Sequence, residues 1–364
     1  MMRHRSTRFG VRLVCFLAVF ALAAAACSKS GGGTSTSGSA GGKCTPADTP
    51  VINFAAYSTP REVYGKIIPA FQSMWKEQHN DQFVIFQESY TGSTTQAQNV
   101  VNGYDADIVA LSLASDVDTI KDAGLITHDW TQAPDAGMVS TSVVVFDVRP
   151  GNPLGLKDFN DLTKPGVEIL TPDPALSGGA RWNLVAAWGA ALAGYAGVQK
   201  DDEAGATALI QGIAKNVIAY DKSARDSIQN FESGNGNVAI TYENEVKTAN
   251  KAGLPDEAVY PPATVLIENP VAVVDKYAEE HCVEDIANAF VEFLHTADVK
   301  ALYTSVGFLR PTDRALAAKG DPKLGFPPIE HLFTTGDLGG WPALDEKLFS
   351  ADGIATKAIA GAQG

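Results

Sequence analysis

"TPDPALSGGARWNLVAAWGAAL", residues 171–192, decides how the rest of the chain is read. A strand end passes through a short loop into an apolar helix, and Gly178 and Gly179 stand where that helix opens, straight after Ser177. Glycine costs a helix interior about 1 kcal/mol against alanine. The pair therefore marks either an ordinary loop with a serine N-cap or bare backbone N–H groups aimed at something negative. Three other junctions share the pattern: "AAYSTPREVY" (55–64), "ESYTGSTTQAQ" (88–98) and "AYDKSARDSIQ" (219–229). Each leaves a strand and enters a helix through Ser, Thr or Gly. Ligands of open α/β sheets sit outside the carboxyl ends of the strands. Each helix N-terminus there presents about half a positive charge and free N–H donors. Four such junctions favour the anion reading.

Around them, apolar runs of four to eight residues alternate with helical periods, which gives an α/β fold with mostly parallel sheets. "TPVINFAAY", "QFVIFQESY", "ADIVALSLA", "TSVVVFDV", "VEILTP", "VIAY" and "NVAITY" read as strands, and "REVYGKIIPAFQSMWKEQ" as a helix. The N-terminus is of another kind. "MMRHRSTRFGVR" carries four arginines and leads into "LVCFLAVFALAAAAC" (13–27), a basic then apolar pattern that reads as a secretory signal over residues 1–26. "ALAAAAC" resembles a bacterial lipoprotein cleavage box, which makes Cys27 the expected lipidated residue. Residues 27–47 are rich in Gly, Ser and Thr and read as a flexible tether of about 20–25 Å.

The body, about 310 residues from Val51, exceeds the usual single domain, so two lobes are expected. Without the leader the chain keeps 24 Lys and Arg against 42 Asp and Glu, a net charge of −18. That argues against nucleic acid and anionic membrane surfaces as partners. It also disfavours an anion ligand at long range, but screening over about 8 Å leaves a local site free to overrule the global field. In an exported chain Cys44 and Cys282 are candidates for a disulfide.

Beyond single junctions, the chain resembles the sulfate-binding proteins, the extracytoplasmic receptors of sulfate/thiosulfate ABC importers. The resemblance rests on residues 171–192 together with "PREVYGKIIPAF", "GSTTQA", "ADIVALSLASDVDTI", "RPGNPLGLKDFNDLTKPGVEILTP", "SARDS", "ITYENE", "IENPVAVVDK", "FLRPTD" and "DLGGW", in the family's order and covering about residues 50–350. It implies a two-lobed periplasmic-binding-protein-like fold (type II, Venus flytrap). Lobe 1 is expected at 48–139 plus 245–310, lobe 2 at 142–242, with crossings near Ser140–Ser142 and just after Tyr242. Residues 311–364 are expected to pack across the lobes.

The same resemblance implies a dehydrated anion held by Ser93 from lobe 1, by Ser177, Gly178 and Gly179 from lobe 2, and by the main chain of Ala224. Ser58 stands where the family has an aspartate that uses its backbone N–H, and Tyr242 where it has a tryptophan. A monomer that binds sulfate, delivers it to a membrane permease with its ATPase subunit, and needs no cofactor is implied. Thiosulfate or molybdate is the alternative ligand. None of the seven positions is Asp or Glu, which suits sulfate, fully deprotonated at neutral pH, over phosphate, which carries a proton. Alanine at Gly179 is expected to weaken binding by crowding the anion.

Other classes fit less well. Five histidines lie scattered in the body without H-E-x-x-H spacing, and no G-x-S-x-G elbow or Walker loop occurs. His281, Cys282, Glu279 and Glu280 read as a solvated helix face before a metal site. A polyamine receptor would use Glu243 and Glu245, which are expected instead to brace the hinge. A structural lipoprotein would not need the four junctions.

Overall fold

The computed structural model describes Cys44 and residues 47–363; the leader, Cys27 and most of the tether lie outside the described residues. Among the described residues ten strands form one sheet, eight of them on one continuous path. They are β1 (Val51–Tyr57), β2 (Ile85–Thr91), β3 (Ile108–Ala110), β4 (Met138–Val148), β5 (Ile169–Pro172), β6 (Val217–Asp221), β7 (Val238–Tyr242), β8 (Glu257–Val259), β9 (Ala263–Val273) and β10 (His331–Phe333). Their order is β2-β1-β3-β9-β4-β7-β5-β6, with β10 on β9 and β8 on β4. The helices that matter for the site follow strands: α1 (Arg61–Gln78), α2 (Ser93–Val101), α3 (Ala114–Asp122), α4 (Gly178–Leu192), α5 (Glu203–Lys215), α6 (Ala224–Glu232) and α7 (Glu243–Lys251).

Two eleven-residue strands, β4 and β9, carry the chain between the two halves of this path. Met138–Val143 of β4 pairs with β9, while Val144–Val148 pairs with β7. Along β9, Leu266–Pro270 pairs with β4 and Val271–Val273 with β3. β4 thus changes partner from β9 to β7 between Val143 and Val144. After Tyr242 the chain turns straight into α7, and β8 pairs with β4 at Phe146–Val148, so residues 243–262 stay with the second half and the return runs through β9. The strand pairings are correspondingly less parallel than expected. Five pairings are parallel and four antiparallel, and every antiparallel one involves β4 or β9; β9 still runs parallel to β10.

Each half has its own core. In the first, Val63, Tyr64, Ile67, Phe71 and Trp75 recur at helical spacing along α1 and pack against Phe54 and Phe290. In the second, α4 is buried nearly all round, as an almost wholly apolar helix must be. Trp182 meets Trp341 edge-on at 4.8 Å. Leu344, Leu348, Ala355 and Ala358 join the same core, so the C-terminal segment belongs largely to the second half. A disulfide joins Cys44 to Cys282, with Cα atoms 5.2 Å apart.

Candidate functional site

The N-terminal ends of α2, α4 and α6 meet at the line between the two halves. A Cβ on Gly92, the N-cap of α2, would collide with Leu176 O and lie 2.8 Å from Lys222 O, in the loops that open α4 and α6. Thr95 donates both its N–H and its hydroxyl to Leu176 O, at 3.0 and 3.1 Å. No single-sequence spacing drew attention to Gly92, since the contact needs all three loops at once.

The seven residues expected at the site are drawn together. Ser58, Ser93, Ser177, Ala224 and Tyr242 are each at most 8% exposed. A Cβ on Gly179 would come to 3.2 Å from Ala224 Cβ, 3.4 Å from Ser177 Oγ and 3.5 Å from Tyr242 Cε1. Ser58 Oγ lies 3.5 Å from the backbone N of Arg225, beside Ala224. Ser93 reaches Tyr242 through Ser112, whose backbone N–H donates to Ser93 Oγ at 2.9 Å and whose hydroxyl lies 2.6 Å from Tyr242 Oη. Cys27, the expected lipidation point, lies outside the described residues.

What these residues offer is backbone. Among the described residues, the N–H groups of Ser58, Ser93, Gly178, Gly179 and Ala224 find no protein acceptor. Buried N–H groups are nearly always paired, so such a group of donors is suited to an acceptor brought from outside. Ser177 caps α4 without a side-chain hydrogen bond to its own helix. The Ser93 hydroxyl is committed elsewhere: it donates to Asp116 Oδ2 at 2.5 Å, which leaves the residue its N–H for a ligand. Burial pushes the Asp116 carboxyl up to about 6, opposed by the Ser93 bond and by Arg181. Burial likewise pushes the Tyr242 phenol up, so it is neutral.

The two arginines that open α6 and α4, Arg225 and Arg181, are already paired. Arg225, in the first turn of α6, holds Glu245 at 2.6 and 2.9 Å and reaches across to Glu62 of α1 at 2.5 and 2.9 Å. Arg181 holds Asp345 at 2.9 Å. Glu243 is bound by the buried Arg310 at 2.6 and 2.8 Å. Glu243 and Glu245 thus brace the crossing region, as expected, and offer no charge to a polyamine. His281 pairs with Asp107 at 2.7 Å, and Cys282 is in the disulfide. Asp116, Arg225 and Ser112 escaped the sequence reading because their roles arise only from contacts across the fold.

Both glycines also face protein neighbours across or beside the cleft. A Cβ on Gly178 would lie 2.7 Å from Leu113 Cγ and 2.8 Å from Ser112 Oγ, both on the first half. Gly178 is bare so that the halves can meet; the steric demand at Gly179 comes from Ala224 of its own half.

Residues 52–309 match the model of the bacterial extracellular solute-binding proteins. The chain is 40% identical over 324 residues to a sulfate-binding protein of Synechococcus elongatus, covering 88% of this chain and 89% of that one. The chain belongs to the sulfate-binding protein family. It is also 32% identical to a thiosulfate-binding protein of Pseudomonas aeruginosa, over 86% of this chain and 93% of that one. Among solved structures, the sulfate-binding protein SubI from Mycobacterium tuberculosis is 34% identical. It superposes with a TM-score of 0.73 over 83% of this chain and all of that one. The fold of the family is therefore the one described above, a mixed sheet in two halves linked by paired crossing strands.

Proposed function

We propose that the chain is the sulfate receptor of an ABC importer. It takes the anion between its two halves and delivers it to a membrane permease whose separate ATPase subunit drives import. The observation that carries this reading is the meeting of five buried backbone donors from four strand-to-helix junctions, beside arginines already neutralised by carboxylates. Sulfate presents only acceptors at neutral pH, and this set presents only donors. Hydrogen bonds to charged groups contribute about 1.5–3 kcal/mol each, so Ser58, Ser93, Ser177, Gly178, Gly179, Ala224 and Tyr242 together offset desolvation and leave micromolar or tighter binding, about −8 kcal/mol or beyond.

In this reading the open form binds on one half, and the donors of the other half favour closure. The chain catalyses nothing, acts as a monomer, and is held at the outer face of the cytoplasmic membrane by lipid on Cys27. Among the described residues no helix is long and apolar enough to cross a membrane, which is compatible with such an anchor. Thiosulfate or molybdate is the alternative ligand, and Tyr242 standing where a tryptophan is expected bears on the choice between sulfate and thiosulfate.

Calorimetric titration of residues 28–364, dialysed free of anions, tests the proposal. Sulfate is expected to bind at micromolar concentration or below and phosphate far more weakly. Heat with thiosulfate or molybdate and none with sulfate would keep the fold and overturn the ligand.

A further inference from the structure

Ser112 ends the turn after β3, on the first half, and Tyr242 ends β7, on the second. Their hydroxyls lie 2.6 Å apart, both side chains are buried, and the bond crosses between the halves. The backbone of Ser112 is fixed from three sides. Its N–H donates to Ser93 Oγ at 2.9 Å; its carbonyl accepts from Trp182 Nε1 of α4 at 2.8 Å and from Asn269 Nδ2 of β9 at 3.4 Å. Its hydroxyl finds one polar partner among the described residues, Tyr242 Oη. The nearest carboxylate, Asp116, is taken by Ser93 and Thr94.

A phenol is ambivalent: it donates one hydrogen and accepts others. On its own, Tyr242 could donate to a sulfate oxygen or accept from the P–OH of hydrogen phosphate. We propose that Ser112 is a specificity-determining residue that removes this choice. By donating into Tyr242 Oη, alongside Asn269, whose amide also faces the phenol, it occupies the phenol's acceptor side and commits the phenol proton to the bound anion. The tyrosine becomes a donor only, matched to a fully deprotonated dianion. The phenol is the more acidic of the two hydroxyls, so its proton goes to the stronger acceptor, the anion, and the chain of two hydrogen bonds polarises in one direction. A protonated anion meets a donor where it needs an acceptor, an unpaired contact of the kind that discriminates strongly. Because Ser112 and Tyr242 sit on different halves, this selection is made only on closure.

The inference rests on the reading of the cleft as a sulfate site. Its test is the ratio of sulfate to phosphate affinity, measured by calorimetry at pH 8 on the full chain in detergent, for wild type, Ser112→Ala, Ser112→Thr, Tyr242→Phe and the double variant Ser112→Ala/Tyr242→Phe. A ratio taken on one protein cancels any loss of folded material. Ser112→Ala is expected to lower sulfate affinity about tenfold and narrow the ratio by about tenfold, and Ser112→Thr to restore both. In the Tyr242→Phe background, Ser112→Ala is expected to change the ratio less than about twofold. A ratio in Ser112→Ala within about twofold of wild type, or an equal change with and without the phenol, overturns the role of Ser112 alone. A wild-type chain that binds no sulfate overturns the functional reading and this inference with it.

Discussion

Replacing Gly178 by alanine separates two explanations of the Ser-Gly-Gly turn. If the glycine is bare to admit the anion, any half of the protein that binds sulfate should feel the change. If it is bare to admit the opposite half, only closure should feel it. The structure favours the second. The added Cβ would stand 2.7 Å from Leu113 Cγ and 2.8 Å from Ser112 Oγ, closer than carbon contacts allow, and both neighbours belong to the first half. Leu113 and Ser112 are fully packed, so the strain falls in the range of about 1–3 kcal/mol for overpacking. Charged to the closed state alone, that is a loss of sulfate affinity of about 5- to 150-fold. With the halves apart the new methyl is unopposed. Gly178 has ordinary backbone torsions, so alanine there restricts the unfolded chain and improves helix propensity. The ligand-free melting temperature is therefore expected to hold or rise slightly, while the stabilisation produced by millimolar sulfate shrinks. Calorimetry gives the affinity, and scanning with and without sulfate gives both melting temperatures. Wild-type affinity in Gly178→Ala, or an equal fall of both melting temperatures, would refute the reasoning. Gly179→Ala is the control. Its neighbours Ala224, Ser177 and Tyr242 share its half, so its strain should appear with and without ligand.

Glu62→Gln removes the cross-cleft partner of Arg225, and because Glu62 is substantially exposed the expected loss is about 2- to 5-fold in sulfate affinity, diminishing with added salt; an effect that grows with salt would contradict a closing role. Asp147 is buried beside Asp256 with neither oxygen hydrogen-bonded, and burial pushes its carboxyl up to about 8. Between about pH 4 and 8 the folded chain therefore keeps a proton that the unfolded chain releases, and stability falls as pH rises, by at most about 1.4 kcal/mol per pH unit from this group. Asp147→Asn should remove that slope, so the melting-temperature gap over wild type is expected to widen from pH 5 to pH 8; a constant gap would mean the carboxyl titrates normally. Cys282→Ser is expected to lower unfolding free energy by about 2–5 kcal/mol in denaturant titration, with reductant having the same effect on wild type and none on the variant.

Much of this was legible in the sequence, for a physical reason. β1, α1, β7 and the opening of α4 follow hydrophobic period and turn chemistry, which are local, and those elements lie where they were read. In sequence β9 looks like any apolar run; only its partners, β3 on one side and β4 on the other, make it a crossing strand. The residues proposed for the site came from the family resemblance, which lies on the same strand-to-helix junctions. Their supports did not. Asp116 beside Ser93, Glu62 and Glu245 around Arg225, and Ser112 against Tyr242 are pairings between residues 20 to 163 positions apart, and no periodicity encodes them.

The same unpaired donors that bind an anion also explain why closure should wait for one. Closing the halves buries Ser58, Ser93, Gly178, Gly179 and Ala224 N–H groups, and each left without an acceptor costs about 1–3 kcal/mol. Opposing that are the bonds made only across the cleft, Arg225 to Glu62, Thr95 to Leu176, Trp182 to Ser112 and Ser112 to Tyr242, with the packing of Tyr57 and Leu113 against the second half's core. Neutral bonds contribute about 0.5–1.5 kcal/mol each and an exposed ion pair about 0–1. The donor penalty offsets much of what the direct contacts contribute, so closure without an anion is weakly favoured at most. A bound dianion turns each unpaired N–H into a charge-assisted bond and reverses the sign of that penalty. A free lysine or arginine in the cleft would attract anions more strongly, but it would attract them without regard to protonation. Pairing both arginines with carboxylates leaves recognition to donors that have nothing to gain from closing until the right acceptor is between them.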